Sequence, residues 1–440
     1  MSLLTLLALI GAPAAVLSFA CVGASCDEAV AVHPAVPFCT LPESSRALLE
    51  AGYYKGRSPE VFGFASGPDS VAFGDGQKAA GAAPEWPNEQ QKQATDVSLT
   101  LWGEGVVPGP IQGKPGLEDI APTLAAIAGF DRGNPSVRSG TAIEGTWRQA
   151  DPRLLVMIAL KNTGTVRGGG AAGELAQEGA SGLATTGSLP VDSAASLATI
   201  GAGGPPMQHG ITGSLIRNEE DQLVAAWSER APTAVIAALG DDLDEKTGQR
   251  SVVGMVATDP TDRGLIGGNW YLDGDTDEFR VVDPGRVGET FTDVLRSGGY
   301  GEDDIPDLLG VTIEGPGRRT IDRELGLVVS ALRAAGAVGP SPSMPTTVAL
   351  VGTGAAGRPS PEMTGRQVAS QIESALSAPV VETAVPGGLF LDQEVMTSKA
   401  ITAGRVMKAL KAVTIPGTDR KAMRDAYPGF SVSFSRFCDA

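Results

Sequence analysis

The sequence predicts an α/β fold built on a mainly parallel sheet, and three observations lead there. Arg153–Leu160, RLLVMIAL, is a continuous apolar run of strand length, as a central strand covered on both faces requires. Strands read at Ser251–Ala257, Leu308–Ile313 and Thr347–Val351 alternate with helices read at Thr233–Leu239 and Ile321–Ala335. Such alternation implies right-handed crossovers between parallel strands. A 42% hydrophobic content then supplies an ample core, with only 5% aromatic residues to fill it.

Taken in order, Leu3–Ala24 carries no charge and reads as a buried helix, Leu3–Ile10, then a strand, Ala15–Val22. The alternative is an exported or anchored N-terminus. A signal peptide would carry a basic n-region, yet no Lys or Arg precedes Arg46. Gly11-Ala12-Pro13 also interrupts the run, which argues against a membrane span. Pro42–Ala51 reads as a short helix and Val61–Ala65 as a strand; Pro68–Gln93, rich in Gly, Ala, Pro and Asn, reads as a surface loop. Val97–Trp102 is a strand. Asp119 opens a helix with Pro122 in its first turn, and Gly129 and Asp131 end it. Beyond the alternating half, Met363–Leu376 and Lys399–Ala412 read as helices, and FSVSFSRF at Phe430–Phe437 alternates like an edge strand.

Gly and Pro, 58 and 31 of 440 residues, imply many turns while staying below the low-complexity range. The net charge of −17 argues against nonspecific binding to nucleic acid or an anionic membrane. Cysteines at 21, 26, 39 and 438 form no Cys-x-x-Cys, so neither a zinc knuckle nor a thioredoxin-like site is expected. The chain has only two histidines, His33 and His209. The aspartates at 259, 262, 273, 275 and 277 lack the spacing of a calcium loop and read as a solvated segment, as do Asp303, Asp304 and Asp307.

The stretch of chemical interest is Ser188–Gly213, SLPVDSAASLATIGAGGPPMQHGITG. Ser193 follows Asp192 at a helix start. Its hydroxyl there either caps exposed backbone N–H groups or, favoured by the positive end of the helix, acts as a nucleophile. Lys161, Lys55 or Arg57 are the cations that would activate it or hold an anion. His209 reads as a structural histidine closing the turn before Ile211.

Pro190, Ser193 and Gly203 through Ile211 resemble the nucleophile segment of the alkaline phosphatase superfamily, in its nucleotide pyrophosphatase/phosphodiesterase-like branch. Counting back from His209, the nucleophile position falls on Ser193. Arg153–Leu160 is similar to that family's first core strand, and Ala231-Pro232-Thr233 to the start of its next helix. Ile321–Gly326 is similar to the helix before its fourth strand, and Thr347–Ala355 to that strand. Leu99–Gly109 with Asp119–Gly129 resembles the family's closing section, and Tyr53–Phe64 the strand before it, yet here both precede the first core strand. The resemblance therefore implies a three-layer sandwich in circularly permuted order. Residues 1–40 would form an apolar N-terminal segment and loop, 41–150 the permuted C-terminal part of the core, 151–360 the main core with the nucleophile-like segment, and 361–440 a helical and strand extension. Such permutation makes Cys39 and Cys438 neighbours.

The family works with two zinc ions held by aspartates and three histidines. Here Lys161-Asn162 stands where Asp-Gly is expected, Glu314–Arg319 where Asp-x-x-x-His is expected, and Gly352-Thr353-Gly354 where Ser-Asp-His is expected. The histidine expected within Gln93–Leu101 is missing as well. The expectation is a degenerate, alkaline-phosphatase-like pseudoenzyme without cofactor or metal, serving as a scaffold or as a binder of a small anionic ligand or protein partner. Ser193 is the nucleophile-equivalent residue, and Lys161, Asn162 and Arg318 are the ligand-binding candidates. Two alternatives stand beside it: a phosphoric or sulfuric ester hydrolase using Ser193 at a rebuilt or metal-free site, and a structural or assembly protein. A cytoplasmic location is the reading, with export through the apolar N-terminus as its alternative.

Overall fold

A computed structural model describes residues 37–65, 95–166, 169–268, 270, 277–315, 317–337, 342–354, 363–385 and 387–438. Fourteen strands occur among them. They are β1 (Val61–Ala65), β2 (Asp96–Gly103), β3 (Gly109–Pro110), β4 (Leu154–Leu160), β5 (Ala180–Thr185), β6 (Leu215–Arg217) and β7 (Leu223–Ala225). The remainder are β8 (Val253–Ala257), β9 (Glu278–Val281), β10 (Asp307–Ile313), β11 (Thr346–Gly352), β12 (Val381–Val385), β13 (Gly388–Leu391) and β14 (Met423–Pro428).

The principal sheet has eight strands in the order β3-β5-β2-β11-β4-β10-β8-β9. From β11 to β9 all neighbours run parallel, and β2 alone lies antiparallel to both of its neighbours. Strand β4 sits inside this sheet with every residue buried, because its alternate side chains enter different cores. Leu155, Met157 and Ala159 pack with the helices Ile120–Ile127, Ser193–Ala202 and Leu239–Thr247. Leu154, Val156, Ile158 and Leu160 pack with the helices Gly170–Glu178, Val287–Ser297 and Arg318–Ala334. Helices thus cover both faces, and each fully buried Leu, Ile or Val contributes about 1.5–3 kcal/mol relative to exposure.

A second, four-stranded antiparallel sheet, β12-β13-β1-β14, joins residues from both ends of the described chain. The helices Gly365–Leu376 and Ala403–Ala412 pack on it through Val368, Ile372, Val406 and Leu410. Beside it, Phe38, Leu49, Tyr427 and Val432 enclose Leu189 and Val191, so the terminal pieces form a seat for the segment that leads into Ser193. Cys39 and Cys438, 399 residues apart, are disulfide-bonded across that seat.

Several expectations are corrected. Thr233–Leu239 is not a helix: the chain stays non-helical until Leu239, where the Asp241 carboxylate accepts the Ala238 N–H at 2.7 Å and starts the helix Leu239–Thr247. Phe430–Phe437 is not an edge strand but part of a 3₁₀ segment, Gly429–Phe437, and the strand lies just before it at β14. Lys399–Ala412 is not one continuous helix. A left-handed Ala400 (φ 50°) separates Gln393–Ser398 from Ala403–Ala412. Within Asp259–Asp283, read as loop, Pro260–Leu265 forms a 3₁₀ turn and Glu278–Val281 is strand β9. The readings at Leu3–Ile10, Ala15–Val22 and Pro68–Gln93, together with Cys21, Cys26 and His33, lie outside the described residues.

The disulfide closes the longest covalent loop in the described chain. Replacing Cys39 and Cys438 by serine should lower unfolding stability by about 2–5 kcal/mol in urea titrations. An unchanged midpoint would show that the terminal seat holds without the bond.

Candidate functional site at the strand ends

Register gathers this site. Leu160 of β4 pairs with Ile313 of β10 and with Gly352 of β11, so the residues that follow each strand emerge side by side. They are Lys161-Asn162, Glu314 and Thr353, with Thr258 following β8. In parallel sheets such carboxyl edges are where ligand sites are built.

The helix Ser193–Ala202 points its N-terminus at this edge. Its cap is Asp192, whose Oδ1 accepts the N–H groups of Ala194 and Ala195 at 2.8 and 3.4 Å. Asp192 also accepts the Ser214 hydroxyl at 3.2 Å, tying the helix start to the next loop. Burial pushes the Asp192 carboxyl up, against backbone donors that pull it down. Ser193 is therefore not the cap. Its hydroxyl donates to Asn162 Oδ1 at 3.1 Å and lies 3.0 Å from Thr353 Oγ1. Thr353 Oγ1 accepts the Asn162 N–H at 3.0 Å, so its own proton is left for Ser193 Oγ. The three residues close a ring of hydrogen bonds. Asn162 adopts a left-handed conformation (φ 51°) to take part, which Asn tolerates better than most residues.

Beside the ring lies a buried ammonium. Lys161 Nζ is 2.8 Å from Asp262 Oδ1, 3.3 Å from Glu314 Oε2 and 3.2 Å from Thr258 Oγ1. Asp262 Oδ2 accepts the Thr312 hydroxyl at 2.7 Å and the Asp259 N–H at 3.1 Å. Burial would push the Lys161 amine down, but the charges of Asp262 and Glu314 outweigh it and hold the amine above its ordinary value. Lys161 thus stays protonated at neutral pH and is no base for Ser193. Among the described residues, the hydrogen-bond partners of Ser193 Oγ are a neutral amide oxygen and a hydroxyl, and neither removes a proton. Glu314, among the described residues, meets the ring through Asn162 Nδ2, at 3.4 Å.

The helix is fixed at its other end too. Arg132 and Arg138 meet Asp242 at 2.6 and 3.1 Å and donate to the carbonyls of Gly201 and Ala202, where the helix carries its partial negative charge. His209 braces its middle. The Ile211 N–H donates to Nδ1 at 3.1 Å, which places the ring proton on Nε2, 3.1 Å from Thr199 Oγ1. Thr199 passes its own proton to the Ala195 carbonyl at 2.9 Å. His209 is fully buried, as its structural reading requires.

Of the sequence candidates, Ser193, Lys161 and Asn162 come together at this edge. Arg318 lies exposed in the first turn of the helix Arg318–Ala334, with Asp322 at 3.6 Å. Arg57 donates to the carbonyls of Gly210 and Thr233, and Lys55 is exposed. The aspartates of the acidic stretch diverge. Asp259 caps the 3₁₀ turn, Asp262 faces Lys161, and Asp277 faces Arg263 at 3.6 Å, while Asp273 and Asp275 lie outside the described residues. Asp304 meets Arg153, and Asp307 accepts the N–H groups of Val252 and Gly301. Sequence reading missed the polar roles of Thr258, Asp262, Thr312 and Thr353. Their common signal is position at or just beyond the ends of adjacent parallel strands. No family model, curated protein or solved structure matches this chain.

Burial, with the charge of Arg57 adding to it, pushes the His209 imidazole down to about 3. Below pH 6.5 an unfolded chain gains a proton there that the folded chain refuses, so stability falls as pH drops, by about 1.4 kcal/mol per unit. Between pH 6.5 and 5, where that slope is reached only gradually, the wild type should lose about 1.6 kcal/mol more than His209→Gln in urea unfolding. Parallel stability curves for the two proteins would contradict a neutral, buried His209.

Proposed function

We propose that this chain is an alkaline-phosphatase-like protein in permuted order whose strand-end chemistry has been replaced by an ion-pair network, and that it acts by binding rather than by phosphoryl transfer. One observation carries the reading: the Lys161 ammonium stands between Asp262 and Glu314, in the sector where the resemblance expects metal ligands. A two-zinc centre does not fit this donor set. Lys161, Asn162 and Thr353 replace acidic and imidazole ligands, the ammonium already neutralises the nearby carboxylates, and His209 is engaged with Thr199 and Ile211. With its charge balanced by two carboxylates, Lys161 is also a weaker anion receptor than its sequence position suggests. Asn162 and Ser193 then remain as neutral hydrogen-bonding groups at the edge.

A hydrolase reading has one observation in its favour. Because Asp192 takes the cap, Ser193 Oγ is left facing the strand ends at a helix N-terminus, where negative charge is stabilised. The two readings separate in one assay. Purified protein is incubated with p-nitrophenyl phosphate, bis(p-nitrophenyl) phosphate and p-nitrophenyl sulfate, with zinc, magnesium, manganese or calcium added in turn. The binding reading expects wild type and Ser193→Ala to match the buffer rate in every case. Turnover that Ser193→Ala abolishes would replace it with the hydrolase reading.

A further inference from the structure

The chain carries a net charge of −17, yet one stretch runs the other way. Between Lys399 and Arg424 stand seven basic residues and a single carboxylate, Asp419. Three of the seven, Arg405, Lys408 and Lys411, lie on the helix Ala403–Ala412 at intervals of three residues. Side chains so spaced share one helix face. The opposite face buries Val406, Ala409 and Leu410 in the core behind the four-stranded sheet. The three cations therefore form an exposed row, about 9 Å long measured along the helix axis. Lys421 extends the row past the end of the helix, where its Nζ donates to the Ala412 carbonyl at 2.9 Å. Arg420, next to it in the chain, is exposed.

Helix stability accounts for only part of this row. Cations suit the last turn of a helix, whose carbonyls carry partial negative charge, and Lys411 and Lys421 stand there. Lys411 also meets Asp425 at 3.2 Å. Arg405 is different, because it lies in the first turn, where the helix end is positive and a cation is disfavoured. That turn holds no acidic residue, and the Thr402 side chain does not cap it. Arg405 and Lys408 pair with no carboxylate among the described residues, although acidic residues outnumber basic ones by 51 to 34 in the chain. Like charges three residues apart on a helix also repel one another. Cations that weaken their own helix and lack counter-charge point to an anion that comes from outside.

We propose that this face docks an acidic segment of a partner protein, one that presents several carboxylates along a row. Size and charge select that partner among polyanions. A membrane plane or a nucleic-acid duplex extends well beyond the row and would meet the acidic remainder of the surface. A short acidic segment stays within the row. The inference is independent of the strand-end site, since no residue of the ring or of the Lys161 ion pair takes part.

A fluorescent glutamate decamer is the probe, and a glutamine decamer is its uncharged control. Both are titrated by anisotropy against wild type, Arg405→Gln with Lys408→Gln, and Lys246→Gln with Arg286→Gln. The last pair removes the same charge from exposed positions elsewhere on the chain. Wild type should bind the glutamate decamer at about 20 mM salt, ignore the glutamine decamer, and lose about tenfold in affinity by about 200 mM salt. Arg405→Gln with Lys408→Gln should weaken glutamate binding about tenfold at low salt and melt no lower than wild type. Lys246→Gln with Arg286→Gln should stay within about twofold of wild type. Absence of glutamate binding at low salt overturns the proposal, as does equal weakening by the two double variants. Tighter binding of phosphatidylserine vesicles or of a DNA duplex, lost in Arg405→Gln with Lys408→Gln, overturns it in favour of a lipid or nucleic-acid surface. Salt-sensitive self-association in sedimentation, lost in the same variant, overturns it in favour of a second copy of this chain.

Discussion

The ion pair of Lys161 with Asp262 and Glu314 is the constraint on which the strand-end site depends. An ammonium buried at the end of a central strand costs several kcal/mol in lost hydration unless compensating charge stands within contact distance. Two carboxylates supply it, one from the 3₁₀ turn after β8 and one from the end of β10. The same contacts join three neighbouring strands at their carboxyl edge, so the pairing fixes the edge as well as the charge. Asn162, next along the chain, is thereby presented to Ser193 and Thr353.

The helix Ser193–Ala202 is held to that edge at several points. Asp192 caps it, Arg132 and Arg138 engage its last carbonyls, and His209 bonds to Thr199 within it. Ser196 also donates to the Thr353 carbonyl at 2.9 Å. A helix clamped this firmly suits a fixed frame. The pairing of Ser193 with Asn162 and Thr353 is accordingly a property of the whole frame, and its chemistry follows from those partners rather than from the serine alone.

Much of this frame is legible in the sequence, for physical reasons that also explain the failures. Strands β4, β10 and β11 are buried on both faces, so they read as unbroken apolar runs, and Arg318–Ala334 shows the helical period of a one-sided face. Apolar content misleads at Thr233–Leu239, where the side chains pack without a helix, because the start is set by the Asp241 carboxylate further on. Alternation misleads at Phe430–Phe437, since period two also arises in a short segment packed against a terminal seat through Val432. The site was half legible. Ser193, Lys161 and Asn162 carry local signals, but the carboxylates that determine the state of Lys161 lie about a hundred residues or more away, and only the strand register brings them in.

The most direct test is a mutant cycle on that ion pair. Urea unfolding is measured for wild type, Lys161→Met, Asp262→Asn with Glu314→Gln, and the triple variant. If the ammonium is the counter-ion of two carboxylates, Lys161→Met alone loses about 3–5 kcal/mol, and neutralising both carboxylates in that background restores much of the loss. A Lys161→Met protein within about 0.5 kcal/mol of wild type, or losses that simply add, would contradict the account.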